Sequence, residues 1–323
     1  MNNYFFIDRL EVKAGNFQLG PVSLEMEKGD YLTLLGPTGC GKTTLAKTIA
    51  GFYGNFPGKI FFGDGDIGIL PAHRRKIGFV TQTSDLFPHL SVKQNIAFGL
   101  KYLNLSKTEM KKRTGRYLEL FRLNHLSERE PGRLSGGETR RVAIARSLIV
   151  EPMILLLDEP LGMIDYNGRK DVLQVLKDIH ENINTTAIHI THDRYEVWKI
   201  SASCAVMDNG KIIQTGAVAE LFRKPKTRFV AEFLGCENII KTEKGFEILR
   251  PEEIQIMKNK LKAKASGIIQ SITDFGEYIE ILVKTEEGNV LTVHSFPREN
   301  NYSRGDKIYL YWDEMSKHII REE

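Results

Sequence analysis

The stretch Gly36-Pro37-Thr38-Gly39-Cys40-Gly41-Lys42-Thr43-Thr44 constrains this chain more than any other. It follows the apolar run 31–35 and precedes residues 45–51, which together read as a buried strand, a glycine-rich turn and a helix closed by a C-terminal glycine. The pattern G-x-x-x-x-G-K-[ST] is met without a mismatch. Glycines let backbone N–H groups curl round phosphate oxygens, and the helix N-terminus behind them adds partial positive charge where an anion sits. In such a loop Lys42 reaches the β and γ phosphates, the Thr43 hydroxyl takes a Mg²⁺ coordination position and Thr44 touches the next phosphate. The bland alternative, a glycine-rich turn with a chance lysine, is opposed by the strand before it and the helix after it.

Around this loop the chain alternates. Short apolar segments within residues 4–35, punctuated by Gly15, Gly20-Pro21 and Gly29-Asp30, predict strands and an antiparallel edge ahead of the loop. Residues 59–62 and 77–81 predict two more, the second delivering Gln82 into a turn. Residues 88–134 change character: Ser91 and Ser106 each open a helix, so a helical insertion is expected over about 88–150. Leu134-Ser135-Gly136-Gly137-Glu138 starts a further helix with Val142, Ile144, Ala145 and Leu148 on its apolar face. Arg140, Arg141 and Arg146 are expected on a solvated or interface face of it. The apolar run 153–157 ends in Asp158-Glu159, as a buried parallel strand does when it carries carboxylates to the sheet edge. A helix with Val172, Val175, Leu176 and Ile179 follows, then the strand 187–191 ending at His192-Asp193. Such alternation predicts a mostly parallel sheet covered on both faces.

Residues 205–213 predict a hairpin with an Asn-Gly turn. From Cys236 the balance shifts: 13 Lys and Arg face 16 Asp and Glu, so this tail carries −3 and the rest +7. Period-2 alternation around 266–296 and 307–312 predicts a small β-barrel there. At 323 residues two domains are expected, 1–235 and 236–323. The net charge of +4, without a long basic block, argues against a nucleic-acid partner. No apolar run reaches the roughly 18 residues of a membrane span, and no signal-peptide pattern opens the chain, so an intracellular protein is expected. Cys40, Cys204 and Cys236 lack metal spacing and read as small buried side chains in a reducing compartment.

Five segments stand in an order that resembles one family. Residues 36–44 resemble a Walker A motif, Gln82 a Q-loop, residues 134–138 the LSGGE signature, residues 154–159 a Walker B strand with its adjacent glutamate, and His192 an H-loop histidine. Together they resemble the nucleotide-binding subunit of an ATP-binding cassette (ABC) transporter over residues 4–235. The tail resembles the TOBE barrel of importer ATPases. The implied fold is α/β, a P-loop NTPase with a RecA-like core, an antiparallel β edge and a helical insertion, followed by an all-β barrel like an oligonucleotide-binding fold.

The resemblance also implies roles. Asp158, Thr43 and Gln82 would serve Mg²⁺, Glu159 would polarise the attacking water, His192 would contact the γ-phosphate, and Asp165 matches the D-loop aspartate. Phe17 is the nearest candidate for stacking on adenine. Ser135, Gly136 and Gly137 would face ATP held by a second copy of the chain, in a head-to-tail homodimer beneath a separate membrane permease fed by an extracytoplasmic solute-binding protein. That places the chain on the cytoplasmic face of the membrane. Residues 15–19 and 70–80 resemble molybdate or tungstate importer ATPases, which makes an inorganic oxyanion the expected solute, with iron, polyamine or sugar as alternatives. A soluble ABC ATPase acting on nucleic acid or ribosomes is the other class; such relatives carry coiled-coil insertions or paired cassettes, which this chain lacks.

Overall fold

Strand β3 (Tyr31–Leu35) is buried at all five positions, and its flanks show why. In a computed structural model describing residues 4–257, 260–296 and 302–321, it sits near the middle of a six-stranded sheet. The elements in chain order are β1 (Phe5–Ala14), β2 (Phe17–Met26), β3, α1 (Lys42–Ala50), β4 (Lys59–Phe62), β5 (Gly65–Asp66), β6 (Ile77–Val80), α2 (Val92–Ala97), α3 (Lys107–Leu120), α4 (Gly136–Leu148), β7 (Ile154–Asp158), α5 (Tyr166–Ile183), β8 (Ala187–Thr191), α6 (Arg194–Ile200), β9 (Ser203–Asp208) and β10 (Lys211–Ala217). Strands β6, β7, β8, β3 and β9 pair in parallel; β10 closes the edge antiparallel.

Alternate residues of each parallel strand feed different cores. Leu155 and Leu157 join Val92, Ile96, Val142, Ile144, Val172 and Val175 on one face. Ile154 and Leu156 join Leu45, Ile49, Phe5 and Ile7 on the other. This double burial explains the unbroken apolar run 153–157, since neither face meets water. The antiparallel segment expected as an edge is a separate four-stranded sheet, β2-β1-β4-β5, which covers the α1 side. The insertion helices start as their sequences demand: Ser91 with Gln94 and Ser106 with Glu109 form capping boxes.

One arginine missed by periodicity finishes α1. Arg75, 2% exposed, donates to the carbonyls of Thr48 and Ile49 at 2.8 and 2.9 Å, satisfying groups that a helix end leaves open.

The chain divides into compact units at Val218/Ala219, ahead of the expected boundary at residue 235. Ala231 and Cys236 are buried with Ile248 and Ile320, and the Arg250 guanidinium donates to the Phe222 carbonyl, so this stretch packs with the tail. After α7 (Val218–Arg223) and α8 (Arg228–Phe233), the second unit holds β11 (Asn238–Thr242), β12 (Gly245–Leu249), β13 (Gln255–Met257), β14 (Ala265–Asp274), β15 (Ile279–Thr285), β16 (Val290–Ser295), β17 (Lys307–Tyr311) and β18 (His318–Ile320). Two antiparallel sheets result, β11-β12-β18 and β13-β17-β14-β15-β16, around a core including Ile281, Val283, Val293 and Leu310.

Candidate functional site

The turn after β3 is shaped by its glycines. A Cβ on Gly36 would collide with the Met207 carbonyl oxygen and lie 2.8 Å from Cys40 Sγ, while Gly39 and Gly41 take φ of 85° and 106°, the left-handed region that favours glycine. Gly41 is the N-cap of α1 and supplies no side-chain acceptor, so the first N–H groups of that helix face the turn. Lys42 is nearly buried, and its Nζ donates to the carbonyls of Gly36 and Pro37 at 2.7 and 2.9 Å. Thr38, Gly39, Gly41, Lys42, Thr43 and Thr44 line a cleft of about 250 Å³. Gly36, Pro37 and Cys40 shape the turn behind it, outside its lining.

Phe17, Gln82, Glu159 and His192 line the same cleft, although they stand far apart in sequence. Phe17 opens β2, and its ring lies where a Cβ on Gly41 would come 2.7 Å from Cζ, so the aromatic rests directly on the phosphate turn. The end of β7 separates its two carboxylates as strand alternation requires. Asp158 Oδ1 accepts from Thr43 Oγ1 at 3.0 Å. Burial pushes the Asp158 carboxyl up, with the Thr43 hydrogen bond and the Lys42 charge pulling the other way. Glu159 takes a φ of 47°, its N–H donates to the Ile190 carbonyl at 3.0 Å, and Oε1 lies 2.9 Å from His192 Nδ1. A hydroxyl–carboxylate pair and a carboxylate–imidazole pair thus stand on either side of one strand tip.

The signature segment lies elsewhere. Ser135 Oγ accepts from the Glu138 N–H at 3.2 Å, and Glu138 Oε2 accepts from the Ser135 N–H at 2.7 Å, a complete capping box for α4. A Cβ on Gly137 would sit 3.2 Å from Gly168 Cα, and one on Gly136 3.6 Å from the Met163 carbonyl oxygen. Both glycines therefore pack against the start of α5, where Asp165 is the N-cap and accepts from the Gly168 N–H. Ser135, Gly136, Gly137 and Asp165 do not line the Lys42 cleft.

The solvated-face expectation for α4 is corrected. Arg140 is 2% exposed and donates to the carbonyls of Thr81, Asp158, Glu159 and Pro160 and to Ser84 Oγ. Burial lowers its pKa to about 10, so it stays charged at neutral pH. Arg146 donates to the Asp85 carbonyl at 2.6 Å and covers the Phe87 ring. A signal was present: Arg140 continues the buried positions Ile144 and Leu148 at i, i+4, i+8.

A strand-to-helix phosphate turn, a strand tip bearing adjacent carboxylates and a histidine just past the end of the neighbouring parallel strand define a nucleotide hydrolase of the P-loop class. The chain matches the ABC transporter family over residues 19–162 and the TOBE domain family over residues 248–320. It is 38% identical over 320 residues to the spermidine/putrescine import ATP-binding protein PotA of Bacillus cereus, covering 97% of this chain and 98% of that protein. The protein of the same name from Vibrio cholerae is 34% identical, covering 94% and 91%. Among solved structures, cbiO1 of Clostridium perfringens, part of the ABC transporter complex cbiONQ, superposes with a TM-score of 0.63 at 29% identity over 69% of this chain and 91% of that one. The ATP-binding cassette MJ0796, solved as a dimer in a post-hydrolysis state bound to ADP and Pi, gives 0.58 at 26% over 66% and 98%.

The chain belongs to the ATP-binding subunits of ABC importers that carry a TOBE domain. Its activity is ATP hydrolysis coupled to solute transport. Relatives named for spermidine and putrescine match the polyamine alternative and not the oxyanion expected from residues 15–19 and 70–80.

Proposed function

We propose that this chain hydrolyses ATP in the cleft around Lys42 as one half of a homodimer, on the cytoplasmic face of a membrane beneath a separate permease that imports a polyamine. The observation that carries the chemistry is that Lys42, Thr43, Glu159 and His192 line one cleft, with Asp158 held behind it by the Thr43 hydroxyl and Glu159 paired with His192. Thr43 and Asp158 are an oxygen donor set suited to Mg²⁺, which when bound would neutralise phosphate oxygens. Lys42, released from the Gly36 and Pro37 carbonyls, binds the phosphate chain, and α1 adds its uncapped N–H groups. Glu159 orients water and accepts its proton, while His192 holds the carboxylate through Nδ1 and leaves Nε2 for the γ-phosphate. Gln82 lines the same cleft, and Phe17 offers its ring to the adenine.

Dimerisation is supported by the placement of Ser135, Gly136 and Gly137 outside the Lys42 cleft. Those residues complete the site only from a second copy. In this reading the solute's path runs through a partner membrane protein fed by a solute-binding protein; among the described residues no helix is long and apolar enough to cross a membrane. The names of the relatives support spermidine or putrescine as that solute.

Glu159→Gln tests the chemistry. ATP binding should persist while turnover falls at least about a hundredfold, about 2.7 kcal/mol of transition-state stabilisation. Turnover within threefold of wild type would remove Glu159 from its role. For the solute, deletion of the gene in its host should lower uptake of labelled spermidine and leave molybdate uptake unchanged; the reverse pattern would restore the oxyanion reading.

A further inference from the structure

We propose that Arg140 is a positioning residue for hydrolysis: its guanidinium fixes the backbone on which Gln82 and Glu159 stand and ties both to the signature helix. An arginine side chain has five N–H donors in a planar fork. Here all five are used: Nε meets the Pro160 carbonyl at 2.6 Å, one terminal nitrogen meets the Thr81 carbonyl and Ser84 Oγ, and the other meets the carbonyls of Asp158 and Glu159. Thr81 and Ser84 flank Gln82, so one group grips the Q-loop on both sides. It also grips three consecutive carbonyls around the carboxylate pair.

The side chains of that pair point away from Arg140, Asp158 to Thr43 and Glu159 to His192. Among the described residues no carboxylate oxygen forms an ion pair with the guanidinium. Arg140 therefore grips the backbone through its hydrogen bonds, and its charge reaches Asp158 only through space, opposing the upward push of burial on that carboxyl. Glu159 needs such a hold. Its φ of 47° is a conformation that a residue with a Cβ seldom adopts without surrounding support, and the Ile190 carbonyl secures only its N–H. Arg140 secures the carbonyl on the other side. Since it sits on the second turn of α4, any shift of the Ser135 end is transmitted to Gln82 and Glu159 through one rigid fork.

The inference rests on the assignment of Glu159 as the group that orients water, and the test separates the two. Arg140→Gln leaves two N–H donors for five acceptors, and Arg140→Lys leaves three without a planar fork. In the full-length protein, Arg140→Gln should lower kcat by about tenfold or more, with KM for ATP and the equilibrium binding of a fluorescent ATP analogue within about threefold, because the phosphate turn is untouched. In a Glu159→Gln background the same change should cost less than about twofold in single-turnover rate, since the carboxylate it positions is gone. A wholly structural brace would instead weaken nucleotide binding and cost the same in both backgrounds, and that result overturns the proposal. So does a kcat within twofold of wild type. If Glu159→Gln alone keeps full turnover, the assignment of Glu159 fails first and the proposal with it. Where Arg140→Gln fails to fold, Ser84→Ala removes one acceptor and should lower kcat about threefold at constant KM; unchanged kcat there counts as overturning it.

Discussion

Helix α1 begins at Gly41 with no side-chain cap and no acidic residue in its first turn, whereas α4 begins at Ser135 with a full capping box and Glu138 in its first turn. Both starts are glycine-rich, and both helices bury much of their length. The difference lies in what each leaves unsatisfied. At α1 the open N–H groups and the helix dipole wait for an anion, and Lys42 adds a full charge. At α4 the box satisfies two N–H groups internally, and the carboxylate of Glu138 opposes a second anion. A capped start can hold its own shape, and it can meet a phosphate only through the remaining N–H groups of Gly136 and Gly137 and the Ser135 hydroxyl. The uncapped start is built around its ligand. The capped one is built first as a helix, and under the proposed dimer it is the end that would meet the second copy's ligand.

The sharpest way to break this contrast is to inactivate each start in a different chain. Lys42→Ala and Ser135→Arg should each lose at least about a hundredfold in ATPase activity. Mixed together, they should recover part of it, because one of the two composite sites then holds intact Lys42 and intact Ser135. No recovery despite demonstrated heterodimer formation would end the division of labour between α1 and α4.

Phe17→Ala probes the α1 side alone. Loss of a stacking ring over a base costs about 1–3 kcal/mol, so the dissociation constant for ATP should rise about tenfold with little change in kcat. Unaltered affinity would leave Phe17 as packing against Gly41.

Ser135→Ala measures the α4 side as a helix. Losing the cap should cost about 1 kcal/mol and lower Tm by about 2–4 °C, before any effect on turnover is considered. An unchanged Tm would mean that the box contributes nothing to stability and that Ser135 serves the ligand only.

The smallest expected shift, in stability rather than in turnover, concerns Asp158 behind the α1 site. Burial raises the Asp158 carboxyl above its usual value of 3.8. A raised folded-state pKa favours folding when the group is protonated; that contribution is present below 3.8 and is lost as pH rises through the folded value. Asp158→Asn, a permanent neutral, should therefore raise Tm at pH 7 while abolishing turnover, and the gain should shrink in acid. Thermal melts at pH 7 and pH 3.5 check the sign.

Much of the site is local, and local chemistry was legible. The phosphate turn, the carboxylate-tipped strand, the Ser91, Ser106 and Ser135 caps and the Asn209-Gly210 hairpin each depend on residues within a few positions, so pattern and spacing identify them. The apolar face of α5 was legible for the same reason, and Val172, Val175, Leu176 and Ile179 are its buried residues. The sheet β11-β12-β18 was not, because its pairing joins residues near 240 to residues near 320 and only β18 closes it. The boundary at Val218/Ala219 also escaped composition, since it depends on whether the segment around Ala231 and Cys236 packs forward or back.

Sequence by itself determined which residues carry charge and which backbone positions can turn, and hence that the chain handles a nucleotide. Tertiary structure alone decided that Glu159 meets His192, that Asp158 meets Thr43, and that Arg75 and Arg140 spend their guanidinium groups on backbone carbonyls inside the protein. The reason is physical: an arginine is ordinarily a surface residue, and only the convergence of several unpaired carbonyls from distant segments can offset the cost of removing it from water. No pattern along the chain records where those carbonyls will meet.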